Sequence, residues 1–277
     1  MYVVQRPTDP ALLPFVKAFW YFAGPPMHPR ERVLPTGAMQ LLVNLHEDEL
    51  RSSGADGCGV RRVAGAALQG VLLGPVVIDT AQQRTIVGVG FRAGGAFPFF
   101  AGPASETSGE LAGLDTLWGR DGAALRDRLL SALPRSAPPG PAGALAVLRE
   151  LEAALLARVA HPLVPDPALA FAVAALERGA AVSAVAERLG ITGKRLGHRF
   201  GERIGLPPKR FARVRRFQRV LGSITPGVPV DWARIAAERG FCDQAHLIHD
   251  FRSLSGLSPS QYRPRSPADR NHVPLPG

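Results

Sequence analysis

Few residues in this chain of 277 are placed to do covalent or redox chemistry. The two cysteines, Cys58 and Cys242, cannot build a four-thiolate zinc site or a disulfide framework. Cys58 lies in G-A-D-G-C-G-V with no base nearby to make it a nucleophile, so a loop cysteine is the default. A metal-binding barrel needs an H-x-H-like pair with an acidic partner, but His28, His46 and His161 stand far apart. The run G-V-G-F-R-A (88–93) superficially matches a dinucleotide fingerprint. It is followed by G-G-A-F-P-F-F and not by a helix with a free N-terminus, so glycines at strand turns are the weightier reading. No catalytic residue, metal or cofactor is therefore expected. Arg92 is the one charged residue embedded in the Gly-rich, apolar F-R-A-G-G. It is a weak candidate for holding an anionic effector, and pairing with a carboxylate outweighs that by roughly two to one. Trp20, Phe22 and Phe91 could join it around a pocket, although aromatic residues in strand-like runs usually belong to a core.

Attraction of a polyanion is better supplied. Residues 1–167 hold 15 basic and 15 acidic side chains, whereas residues 168–277 hold 18 basic and 8 acidic. The entire net charge of +10 thus lies in the last 110 residues, as expected of a neutral domain joined to one that meets a polyanion. That basic part contains an internal duplication. V-x-x-V-A-E-R-L-G (182–190) aligns with W-x-x-I-A-A-E-R-G (232–240), and beyond the turn Leu196, Phe200, Gly205 and Pro208 match Leu247, Phe251, Gly256 and Pro259.

Each copy reads as helix, tight turn, helix. Val182, Val185, Ala186 and Leu189 form one apolar stripe, Gly190 can take the left-handed conformation that ends the helix, and Thr192 caps the next. In the second copy Trp232, Ile235 and Ala236 point inward, Gly240 ends the helix, and Asp231 and Asp243 are the caps. Between the copies, P-P-K-R-F-A-R-V-R-R-F-Q-R-V-L reads as a connecting helix, with Phe211, Val214, Phe217 and Leu221 on one side and arginines on the other. Because Leu196 and Phe200 face a small core, Lys194 and His198 point away from it at 100° per residue. Ala245 and His249, flanked by His246 and Ile248, do the same beside Leu247 and Phe251. Such a helix can enter a major groove and meet base edges.

At these residues the chain resembles the AraC/XylS family of bacterial transcription regulators. The likeness covers about residues 168–263 and is most specific in G-F-C-D-Q-A-H-L-I-H-D-F-R-S-L-S-G-L-S-P-S-Q-Y-R, with L-G-I-T-G-K-R-L-G-H-R-F-G-E-R-I-G-L-P-P-K-R-F agreeing ahead of it. The resemblance implies two recognition helices docked in successive major-groove segments of double-stranded DNA. A linker helix of ~16 residues spans ~24 Å, of the order needed to separate them by about one turn. By the family pattern Lys194, Gly197 and His198 face bases from the first reader, and Gln244, Ala245, His246, Ile248 and His249 from the second. Phosphate contacts are expected from Thr192, Arg199, Lys209, Arg210 and Arg252. His198 and His249 stand where family members most often carry arginine, which removes a bidentate fork and predicts binding that weakens from about pH 6 to 8.

Residues 1–100 read mainly as strands, in M-Q-L-L-V-N-L, V-L-L-G-P-V-V-I and R-T-I-V-G-V-G-F, with L-L-P-F-V-K-A-F-W-Y-F as a short helix leading into a strand. From Asp121 the period becomes helical, P-R-S-A-P-P-G-P-A-G (134–143) breaks it, and a helix resumes at 144–159 with Leu148, Leu151, Leu155 and Val159 on one face, to pack on the barrel in preference to pairing in a dimer. The fold class expected is α+β: a β-rich, cupin-like domain with trailing helices (1–160), a linker (161–167), an all-α double helix-turn-helix domain (168–263) and a disordered tail (264–277). L-P-T-G-A-M-Q-L-L-V-N-L, G-V-G-F-R-A-G-G-A and L-D-T-L-W-G resemble, more loosely, an N-terminal domain attached to some regulators of the family. That domain is expected to sense a small-molecule effector or to form a homodimer, and RNA polymerase is the expected protein partner. A ligand-independent regulator is the alternative, and a DNA-tethered small-molecule enzyme the least favoured. No uncharged stretch reaches 18 residues and the N-terminus lacks the pattern of a secretion signal, so a cytoplasmic, membrane-free protein is expected.

Overall fold

The computed structural model describes residues 1–26, 28–55, 57, 59–133, 140–225, 228–266 and 269–275. Cys58 lies outside them, as does most of the turn-rich break after residue 133. The N-terminal half is built from two antiparallel sheets. The first contains, in spatial order, β1 (Tyr2–Gln5), β2 (Val16–Ala23), β9 (Thr85–Phe91), β4 (Gln40–Asn44), β7 (Ala66–Gln69) and β10 (Leu111–Gly113). The second is ordered β11 (His272–Pro274), β3 (Arg30–Val33), β8 (Val76–Asp79), β5 (Leu50–Ser53) and β6 (Arg61–Val63).

The alternation within the first sheet divides its side chains cleanly. Phe19, Tyr21, Leu41, Val43, Val87, Val89 and Phe91 lie on one face, in the main core. Helices α1 (Leu114–Trp118), α2 (Arg120–Ser131) and α3 (Pro141–Leu156) cover that face, contributing Leu125, Leu129, Leu148 and Leu151. Val159 falls beyond the end of α3 and is exposed, so the expected apolar face is one position shorter. The opposite face looks toward the second sheet, where Leu50, Ala67, Ile86 and Leu111 form a smaller core with Trp20, Phe22, Leu42 and Val63 only half-buried beside it. Gly88 is required here: a Cβ on it would lie 2.6 Å from the Trp20 ring.

The expected linker is pinned at both ends. The amides of Ala160 and His161 donate to the Pro98 carbonyl, and His161 stacks on Phe97 with ring centroids 4.4 Å apart. Asp166 then caps α4 (Pro167–Glu177), accepting from the Leu169 amide at 3.0 Å. The remaining helices are α5 (Val182–Arg188), α6 (Gly193–Arg203), α7 (Pro208–Gly222), α8 (Trp232–Glu238) and α9 (Gln244–Ser255).

The tail corrects the sequence reading. Instead of being disordered, its described residues return to the N-terminal half and add β11 to the second sheet, antiparallel to β3. Val273 is buried there, and backbone pairing supplies what the composition lacks.

Candidate nucleic-acid interface

Each helix-turn-helix unit is specified by its own caps and turns. In the first, α5 buries Val185 and Ala186, and Gly190 follows at φ +63°, where a residue with a Cβ would be strained. Thr192 Oγ1 then accepts from the Arg195 amide at 3.2 Å and opens α6. In the second, Asp231 Oδ1 accepts from the Arg234 amide at 2.9 Å, Gly240 turns at φ +73°, and Asp243 Oδ1 accepts from the His246 amide at 2.7 Å. The connecting helix α7 buries Phe211, Val214, Phe217 and Leu221 as its spacing demands.

Leu196 and Phe200 are buried, which leaves Lys194 and His198 exposed and Gly197 half-exposed on the free side of α6. On α9, Leu247 and Phe251 are buried, and Gln244, Ala245 and His249 are exposed with Ile248 half-buried. His246 is held within its own unit: its ring meets Phe241 edge-on at 5.3 Å, and its Nε2 lies 3.9 Å from Asp250 Oδ2.

Two of the five residues expected beside phosphates are engaged elsewhere. Arg199 Nε sits 3.7 Å from Asp166 Oδ2, and Arg210 donates to the Leu73 carbonyl of the N-terminal half at 2.9 Å. Thr192, Lys209 and Arg252 are exposed. Arg92, on the N-terminal half, is exposed too, and its Nε donates to the Leu13 carbonyl at 2.9 Å. A main-chain oxygen takes the place of the expected carboxylate.

The arginines of α7, which the sequence places together on the side opposite Phe211 and Val214, divide by partner. Arg213 and Arg216 each donate at 2.9 Å to a different carboxylate oxygen of Asp250, which is buried on α9. Arg215 donates to the Thr36 carbonyl at 2.9 Å, and Arg219 donates to the Glu177 carbonyl. The signal that could have exposed the first pair is an acidic residue at position 250 in a helix whose neighbours invite anions. Between the first unit, α7 and the turn at Gly240 runs a groove of about 1130 Å³, with Arg178, Lys209, Arg216 and Arg239 among its lining. Burial lowers the pKa of Arg219 there, and the charges of Arg239, Arg216 and Arg215 add to the effect.

No group of three His, Cys, Asp or Glu that could hold a metal occurs among the described residues. No described helix is long and apolar enough to cross a membrane.

Two helix-turn-helix units joined by one helix, each presenting an exposed and capped second helix, define a DNA-binding protein. Residues 185–265 match the family model of a helix-turn-helix domain, and residues 5–112 match that of a domain of unknown function, DUF6597. The C-terminal part is therefore a helix-turn-helix domain of DNA-binding type. No curated protein matches the chain. Among solved structures, an apo variant of ToxT from Vibrio cholerae is similar at 10% identity, covering 88% of this chain and 96% of that one with a TM-score of 0.45. ToxT bound to an unsaturated fatty acid is 8% identical over 94% of each chain, also with a TM-score of 0.45.

Proposed function

We propose that the chain is a sequence-specific regulator that reads two DNA boxes about one helical turn apart and answers to a small-molecule effector held by its N-terminal half. The observation that carries the reading is the paired exposure of α6 and α9 tips from capped helices in a domain that holds the whole basic excess. Lys194, Gly197 and His198 meet bases of one box, and Gln244, Ala245, Ile248 and His249 those of the other. His246, already bound within its unit, orients α9 in preference to touching a base. Thr192, Lys209 and Arg252 hold phosphates. Arg199 and Arg210 act through Asp166 and Leu73, and so position the domain. The half-buried Trp20, Phe22 and Leu42 between the sheets support an apolar effector site better than Arg92 supports an anionic one. Pairing as a homodimer and recruitment of RNA polymerase complete the proposal.

Selection of bound fragments from a fragmented GC-rich bacterial genome, at low and at physiological salt, tests it. One motif with two boxes is the expected result. Diffuse binding lost at physiological salt would reject sequence reading. For the effector, a small apolar ligand should raise the melting temperature and change the affinity for the recovered motif. A screen giving binding without any change in DNA affinity would reject coupling.

A further inference from the structure

The returning tail joins three parts of the molecule that the sequence separates. Its backbone pairs with β3, with the Leu34 amide donating to the Asn271 carbonyl at 2.9 Å and the Leu275 amide to the Arg30 carbonyl at 3.0 Å. One side chain, Gln218 of α7, then ties all three together. Its Nε2 donates at 2.8 Å both to the Pro35 carbonyl of the N-terminal half and to Asn271 Oδ1 of the tail.

The register gives each face of β11 a separate task. Pro274 pairs with Glu31, and Glu31 with Ile78, so these residues share the side that looks toward the first sheet. Glu31 is only 3% exposed, and on that side it accepts from His272 Nδ1 at 2.9 Å and from Arg265 at 3.4 Å. Burial alone would raise the Glu31 pKa, but the hydrogen bond and charge of His272 and the charge of Arg265 outweigh it and hold the carboxyl below its ordinary range. On the other side, Val273 enters the main core, and Arg32, paired opposite it, reaches the Gly256 carbonyl at the end of α9. The tail leaves the second unit through Tyr262, whose ring lies edge-on to Phe251 at 5.6 Å and whose hydroxyl donates to the Arg270 carbonyl at 2.7 Å.

We infer that the described residues of the tail, 264–266 and 269–275, act as a strap that holds the second helix-turn-helix unit in register with the first by fastening it to the N-terminal sheet. Alignment, and not occlusion, is its task, because Lys194, His198, Gln244 and His249 are all exposed while the strap is in place. A fastened second reader meets its box at a high effective concentration once the first is bound, whereas a loosened one must find it by diffusion about α7. The strap lies beside β3 in the sheet, with Pro274 paired to Glu31 and His272 bonded to its carboxylate, so that a change in how β3 sits is passed to the strap.

The inference rests on the two-box reading for its DNA arm only. Full-length protein, a chain ending at Arg263, and the milder Glu31→Gln variant would be compared on DNA carrying both boxes and on DNA carrying the first box alone. Truncation should weaken two-box binding about tenfold and leave one-box binding within twofold, and E31Q should fall between the truncated and full-length proteins. Calorimetry on the same proteins without DNA should show the full chain melting in one transition and the truncated chain in two. Unchanged or tighter two-box binding after truncation would overturn alignment. So would a single transition in the truncated chain. If the full-length protein does not distinguish two boxes, the two-box reading fails, and the calorimetric comparison still decides the strap.

Discussion

The two helix-turn-helix units are copies in sequence but not in attachment. Position 199 of the first corresponds to 250 of the second, and the charge is inverted between them. Arg199 leans on Asp166, the cap of the helix that precedes its own unit, whereas Asp250 is gripped by Arg213 and Arg216 of the connecting helix. The first unit also rests directly on the N-terminal half. Ser108 Oγ donates to the Gly205 carbonyl at 2.6 Å, and the Arg203 guanidinium lies 4.4 Å from the centre of the Phe97 ring. The second unit is held mainly through α7 and through the returning strand, and touches the N-terminal half directly only at the end of α9, where Arg32 donates to the Gly256 carbonyl at a long 3.5 Å. A duplicated reader can therefore be built with one half fixed to the N-terminal domain and the other suspended mainly from connectors, which leaves the suspended half as the one whose position is the easier to change.

The largest expected effect comes from breaking the suspended attachment. Asp250→Ala leaves two guanidiniums facing each other in a half-buried site, and should cost about 3 kcal/mol, toward the low end for a broken buried pair because Arg213 and Arg216 keep some solvent. Arg199→Ala should cost under about 1 kcal/mol, since its contact is long and partly exposed. Urea unfolding of both variants checks the contrast, and equal losses would erase it. Next come the matched glycines. A Cβ at Gly205 would stand 2.6 Å from Ser108 Oγ and 2.8 Å from the Ala104 carbonyl oxygen, on a backbone at φ +90°. At Gly256, with φ +68°, nothing comes nearer than 3.5 Å. Gly205→Ala should thus cost about 3 kcal/mol from conformational strain plus collision, and Gly256→Ala only about 1 kcal/mol from strain. Matching melting shifts for the two would mean that the first unit is not seated on the N-terminal half.

These contrasts also mark where sequence reasoning stops. The duplication, both turns at Gly190 and Gly240, and the caps at Thr192, Asp231 and Asp243 were legible, because each depends on neighbours within a few residues. So was the outward side of α6, fixed once Leu196 and Phe200 are known to be buried. What distant chain segments do was not legible. Arg210 looks like any basic residue beside a reader until the Leu73 carbonyl is placed against it. The tail has too few apolar residues to announce a strand, and its order comes from main-chain hydrogen bonds to β3, which no composition records. Position 250 belongs to a signature that predicts a helix, yet the role of its carboxylate depends on two arginines more than thirty residues earlier.

A smaller effect separates the phosphate candidates of the two units. Arg252 is exposed on α9 and free of acidic partners among the described contacts, so Arg252→Gln should reduce the slope of log affinity against log salt by about 0.9. Arg199→Gln should change that slope by less than half as much, because Asp166 already answers its charge. Equal slopes in salt titrations by fluorescence anisotropy would place Arg199 on DNA after all.

The smallest expected effect treats the units alike. His198 and His249 occupy equivalent, exposed positions on the two readers, each a single residue after a partly exposed one on the same face. In the two-box reading each ring meets a base edge of its own box, so replacing one histidine with alanine should change the preferred bases of that box by a fewfold and leave the other box as it was. Selection of bound sequences with His198→Ala and with His249→Ala checks this. A change confined to one box for each variant is the expected result. If only one of the two variants changed a preference, the readers would differ in depth as well as in attachment, with the unresponsive unit the shallower. No change in either would show that neither ring reaches a base.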